Sequence, residues 1–151
     1  MKILFGTDHA GFALKEALVV FVRDELGHEV EDMGAHAYDE EDDYPDFAGK
    51  VAERVAEGNT LGHVLGIILG GSGQGEAMAA NRFKSVRATV YYGGTLDIVK
   101  LSREHNDANV LSLGARFISE TEAKSAVRVW LDTPFGGEER HARRRAKMDT
   151  L

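Results

Sequence analysis

Residues 64–81, VLGIILGGSGQGEAMAAN, restrict the fold more than any other part of the chain. The segment opens on a short apolar run (Val64, Leu65, Ile67, Ile68, Leu69) with the length and β-branched content of a buried strand. Gly66, Gly70, Gly71, Gly73 and Gly75 follow within ten residues, and Glu76 then leads into a helix-favouring AMAAN. A strand, a glycine turn and a helix start form a βα unit in which backbone N–H groups converge on one point, as suits an anion. A lone carboxylate at the mouth of that turn is out of keeping with a phosphate cradle, because it repels the group the turn would hold.

The same alternation runs along the whole chain. Lys2–Thr7 reads as a first strand, with Asp8 and His9 at its C-terminal end. A helix is predicted from about Phe12, where Leu14, Leu18, Phe21 and Val22 recur at helical spacing, and Gly27 is its stop. Glu29–Asp32 is a weak second strand. Phe47, Val51 and Val55 mark a second amphipathic helix, ending near Gly58. Further strands are predicted at 87–91 and 110–113, with a short helix between them carrying Leu96, Ile98, Val99 and Leu101. Ala123, Ala126, Val127, Trp130 and Leu131 give the clearest helix, closed by Pro134, Gly136 and Gly137. Five strands alternating with helices predict a single-domain, doubly wound α/β/α protein over residues 1–151, with a parallel sheet covered on both faces and a tail from about 134. In such a sheet the ligand lies beyond the C-terminal ends of the strands. Asp8, His9, residues 70–76, residues 91–94 and Arg116 should meet there, whereas His105 lies in the approach to the last strand.

Composition narrows the function classes. A chain of 151 residues can bury a two-sided core, and its net charge of −7 argues against nucleic acid as a partner. The absence of cysteine excludes disulfides, thiolate metal sites and thiol nucleophiles. No apolar run approaches the ~20 residues of a membrane span, and the N-terminal apolar run is too short for a signal peptide, so a cytoplasmic protein is expected.

The glycine loop fails the nucleotide tests. It ends Gly75–Glu76–Ala77 where a Walker loop needs Gly-Lys-Ser/Thr, and counting from Gly71 the sixth position of a dinucleotide fingerprint is Glu76. At the first strand, GTDHAG puts Asp8 where the middle glycine belongs. Asp8, His9 and His105 lack the spacing of a dedicated metal site, so no metal is expected. Proton transfer fits better: a carboxylate among backbone donors can take a proton from carbon while those donors stabilise the developing oxyanion. Glu76 is equally readable as a first-turn acid favoured by the helix dipole, and residue physics alone leaves both readings standing. The acids of 39–46 (DEEDDYPD) read as a solvated loop entering a helix, with Tyr44 able to point inward. In the tail, Arg140 and Arg144 are four apart and share a helix face; they are either solvated, an anion fork, or a docking surface for another subunit.

FGTDHAG near the start, DYP at 43–45, GGSGQGE at 70–76, REHNDANVLSLGAR at 103–116 and ERHARR at 139–144 occur together and in order. Together they resemble the ribose-5-phosphate isomerase B family, whose relatives also act on galactose 6-phosphate and allose 6-phosphate, and the likeness covers nearly the whole chain. It implies a Rossmann-like homodimer in which each active site draws on both subunits, with pairing of dimers into tetramers a further option. It also implies an aldose–ketose isomerase working through an enediolate without metal or organic cofactor, with ribose 5-phosphate as the sugar phosphate. Isomerases of tetrose or hexose phosphates, and a non-catalytic sugar-phosphate binder, are the alternatives. By this resemblance Glu76 is the base; many members use instead a cysteine at the position of Gly70. Ser72 bonds the oxygens that exchange a proton, and the N–H groups of Gly71, Gly73, Gln74 and Gly75 form the anion hole. His105 opposite Asp8 opens the ring, Asn106 orients sugar oxygens and Tyr44 lines the pocket. His9, Arg116, Arg140 and Arg144 hold the phosphate, some from the partner chain, on which the helical tail packs.

Overall fold

The computed structural model describes residues 1–58 and 64–151. Its strands are β1 (Lys2–Thr7), β2 (Glu29–Asp32), β3 (Val64–Gly70), β4 (Ala88–Tyr91) and β5 (Val110–Gly114). They form one parallel sheet in the order β2-β1-β3-β5-β4. Successive side chains of a strand face opposite sides. Ile3, Phe5, Leu65, Ile67, Leu69, Leu111 and Leu113 therefore build one core, while Leu4, Ile68 and Val110 build the other. The first core is closed by α1 (Phe12–Val20), α4 (Asp97–Glu104) and α5 (Glu120–Asp132), which supply Leu18, Val99 and the Ala123–Leu131 stripe with a fully buried Trp130. The second is closed by α2 (Tyr44–Gly58), through Ala48, Val51, Ala52 and Val55, and by Ala80 at the end of α3 (Gln74–Ala80). Among the described residues no helix is long and apolar enough to cross a membrane.

Local chemistry sets the element ends. Ser119 caps α5 and Glu122 reaches back to its N–H, a reciprocal capping box. The first helix runs on through one wide turn, Phe21–Glu25, and ends at Gly27, whose φ of +71° suits glycine. Lys15, fully buried on α1, donates to Asp32 Oδ2 and to the Ala35 carbonyl, so the ammonium is paired and fixes the chain just beyond β2.

The predicted strand at 87–91 begins one residue later, at Ala88, and the reason is electrostatic. Arg87 is buried; its guanidinium donates to the Asp107 carbonyl and Oδ2 and to Asp149 Oδ1. Asp107 also receives Arg103 (3.1 Å) and Arg145 (2.8 Å). Arg145 and Asp149 belong to the last helix, α6 (Glu139–Met148), and its C-cap, so this cluster holds the tail against its own chain. Much of the REHNDAN stretch is thus scaffold: Arg103 and Asp107 sit in the ion cluster, and Asn109 Oδ1 accepts the Arg87 N–H at 2.7 Å.

The chain leaves β1 for β2 on one side and crosses to β3 on the other. The ends of β1 and β3 therefore border the topological switch point, where open α/β sheets bind ligands. Register pairs Thr7 with Leu69, which sets Asp8 beside Gly70.

Candidate active site

Beyond β3 the backbone turns sharply enough to need glycine. Gly73 has φ +76° and caps α3, and its carbonyl accepts from Ser112 Oγ (2.6 Å) and the Ala77 N–H (3.2 Å). Those bonds bolt the loop to β5 and to its own helix. Gly71 O accepts the Arg116 N–H at 3.1 Å, and the Arg116 side chain lies against Gly71: a Cβ there would meet Nη1 at 3.4 Å. A Cβ on Gly75 would meet the Tyr44 ring at 2.6 Å, so Tyr44 packs directly on the loop. The Gln74 N–H turns toward Ser72 Oγ at 3.3 Å, the long end of hydrogen-bond range.

Gly70 is required by what lies over it. A Cβ at this position would stand 1.6 Å from Glu76 Oε1 and 2.1 Å from its Cδ. The carboxylate of Glu76 fills the volume that any side chain at 70 would occupy. Glu76 is only 5% exposed. Burial pushes its carboxyl pKa up; a backbone hydrogen bond at Glu76 itself opposes the rise, and the nearby Asp8 charge adds to it. A carboxyl whose proton is held more tightly in this way can both take a proton and give it back.

A cleft of about 480 Å³ opens here, lined by Asp8, His9, Ala10, Tyr44, Gly71, Ser72, Gly75, Glu76, Arg116 and Phe117. Eight of these are residues singled out in the sequence, drawn from the ends of β1, β3 and β5 and the start of α2. Asp8 is buried, and its Oδ1 takes the Ala10 N–H at 3.0 Å. His9 is held by Asp42, through both its backbone N–H (3.0 Å) and its ring Nδ1 (2.7 Å). The ligand atoms of Asp8, His9 and Asp42 lie within 4.8 Å of one another, but Asp42 Oδ1 and His9 Nδ1 are already spent on each other. Ala10, Phe117 and Asp42 were not foreseen. Asp42 corrects the reading of the 39–46 acids as uniformly solvated, for it alone among the six turns inward.

His105, Asn106, Arg140 and Arg144 do not line this cleft. His105 ends α4, five residues ahead of β5, and so belongs to the N-terminal edge of the sheet. Strands of five to seven residues, roughly 16–23 Å, separate the two edges. His105 stacks on buried His141 of α6 at 4.1 Å, and Arg140 and Arg144 are exposed on the same helix. Asn106 opens on a larger cavity of about 860 Å³ between residues 81–89 and the end of α6. The expected opposition of His105 and Asp8 is therefore not met within one chain. Each chain carries an acid-and-glycine cluster at one edge and a histidine-and-arginine cluster at the other.

The family model for ribose/galactose isomerase matches residues 3–148. Ribose-5-phosphate isomerase B of Escherichia coli (strain K12) is 42% identical over 143 residues, covering 95% of this chain and 91% of its own. The protein of that name from Mycolicibacterium paratuberculosis is 39% identical over 145 residues, covering 95% and 87%. A crystal structure of ribose-5-phosphate isomerase B from Mycoplasma genitalium with bound ribulose-5-phosphate matches with a TM-score of 0.91 at 36% identity, over 99% of this chain and 94% of that one.

Proposed function

The chain belongs to the ribose/galactose isomerase family, and we propose that it interconverts ribose 5-phosphate and ribulose 5-phosphate through an enediolate, with Glu76 as the base. The observation that carries this is the carboxylate folded back over Gly70, desolvated, at the mouth of the switch-point cleft. A binder of an anionic sugar gains nothing from a negative charge there. An isomerase needs one.

In the aldose-to-ketose direction Glu76 takes the proton from C2 of the open-chain aldose and returns it to C1. Charge developing on the adjacent oxygens falls to the loop amides of Gly71, Gly73, Gln74 and Gly75, and Ser72 Oγ helps the two oxygens exchange their proton. One such donor is typically worth about 10²–10³ in rate. His9 and Arg116 hold the phosphate at the near end of the cleft, against Tyr44. His105 opens the furanose ring opposite Asp8, Asn106 orients the sugar, and Arg140 and Arg144 close on the phosphate; these four come from a second copy of the chain, as the separation of the two clusters supports. The chain acts as one catalytic domain of a cytoplasmic homodimer, and pairing of dimers into tetramers is compatible with this scheme.

Ketose formation from a panel of pentose, tetrose and hexose phosphates tests the reading. Ribose 5-phosphate should have the highest kcat/KM, and a hexose phosphate taking that place would move the assignment within the family. Glu76→Gln should bind inorganic phosphate as the parent does yet turn over about 10²–10⁴-fold more slowly. A variant of near wild-type rate removes Glu76 from its role.

A further inference from the structure

Of the six acids in residues 39–46, five are exposed, four on the loop and Asp46 in the first turn of α2. Asp42 is not: its side chain is 9% exposed and reaches the end of β1. One oxygen, Oδ1, receives the His9 N–H at 3.0 Å and meets His9 Nδ1 at 2.7 Å. Backbone and ring of one residue thus converge on a single acceptor, which fixes the ring and commits its proton to Nδ1, leaving Nε2 for the cleft that His9 lines. The other oxygen, Oδ2, is buried and makes no hydrogen bond. A carboxylate this desolvated is costly unless a countercharge adjoins it, and the group bonded to it that can carry one is His9.

We infer that Asp42 is a positioning residue that locks the His9 ring, leaves Nε2 for the cleft and supplies the countercharge that favours its cationic form. The inference deepens the proposed function and rests on its reading of His9 as a phosphate-holding group. The chemistry requires such a device. A sugar phosphate takes on its second charge with a pKa near 6, and an unpaired histidine gives up its proton near 6.5. The partner would fade as the ligand became fully charged. The charged groups around His9 act in the needed direction on balance: the bond to Asp42 raises its pKa most, burial opposes this, the Asp8 and Asp42 charges add to the rise, and Arg116 subtracts. Tyr38 sets its ring edge-on to His9 at 6.2 Å.

Two substitutions separate charge from placement. Asp42→Asn keeps an oxygen for both N–H groups and loses the charge; Asp42→Ala loses both. The experiment follows the His9 imidazole by NMR titration, the affinity for inorganic phosphate, and kcat and KM for ribose 5-phosphate from pH 6 to 9. Asp42→Asn should lower the His9 pKa, match wild-type KM at pH 6, and show KM about tenfold higher by pH 8 with kcat within about twofold. Asp42→Ala should raise KM across the range, and phosphate affinity should follow KM in each variant. In a His9→Gln background, Asp42→Asn should change KM no further. An unaltered His9 pKa in Asp42→Asn overturns the inference. If that pKa falls but His9→Gln binds phosphate as the parent does, the phosphate-holding assignment has failed, and the role given to Asp42 fails with it.

Discussion

Burial makes the ionised form of Glu76 expensive, and that expense has a sign. Its folded pKa lies above the ordinary value of 4.5, so the unfolded chain gives up this proton first as pH rises. Stability tied to the group is complete below the ordinary value and is lost as pH climbs through the raised one. Glu76→Gln, which cannot ionise, should therefore melt no lower than the parent at pH 8 while losing its turnover; a clearly lower melting temperature would mean that the carboxylate is a structural bond after all. Gly70 gives a second test. Gly70→Ala puts a methyl group into space held by the Glu76 carboxylate, and the carboxylate should be expelled toward solvent. Turnover should then fall about as far as in Glu76→Gln, with circular dichroism unchanged; near-normal turnover would show that the side chain works equally well from elsewhere. Glu76 stood out in the sequence because a charge among glycines contradicts the phosphate-cradle patterns, although residue physics left it equally readable as a first-turn helix acid. Asp42 and Lys15 were not. Acids in a run of acids, and a lysine on an amphipathic helix, read as solvated unless the fold brings a partner to them.

At the scale of elements, β1, β3 and β5 announced themselves through apolar runs, β2 only weakly, and β1, β2 and β3 begin where the sequence reading places them. Arg87 could not be read that way. Its burial depends on Asp107 and Asp149, whose approach is a matter of tertiary contact rather than local pattern. The motif REHNDAN was legible as a unit but not as two jobs. Its Arg103, Asp107 and Asn109 hold the scaffold, while His105 stacks on His141 and Asn106 is exposed on the same turn. Asp107 carries the strongest prediction at this scale, since it binds α6 to the body and sits at φ +50°, which asparagine also tolerates. Asp107→Asn should cost about 3 kcal/mol, or roughly 6–12 °C in melting temperature, by leaving Arg87 and Arg103 short of countercharge. A loss below about 0.5 kcal/mol in a urea titration would mean the cluster contributes little.

For the whole molecule, topology fixed the near half of the cleft from sequence alone: the ends of β1 and β3 had to flank the switch point, and Asp8, Ser72, Glu76 and Arg116 meet there. The far half proposed above rests on resemblance, because no rule of sheet geometry brings the N-terminal edge, with His105, to the C-terminal one. The proposed pairing of subunits makes a quantitative prediction. In a dimer of Glu76→Gln with Arg144→Ala, one cleft inherits both lesions and the other inherits neither. Random reassortment of equal amounts should therefore restore about a quarter of wild-type activity. Mixtures no more active than their parents would place each cleft within one chain. Under the proposed pairing a lone subunit has no route to a complete cleft, because a sheet is too stiff for its two edges to fold onto each other. A small molecule that wedged two copies apart would then silence the enzyme from a distance, without competing with the sugar at all.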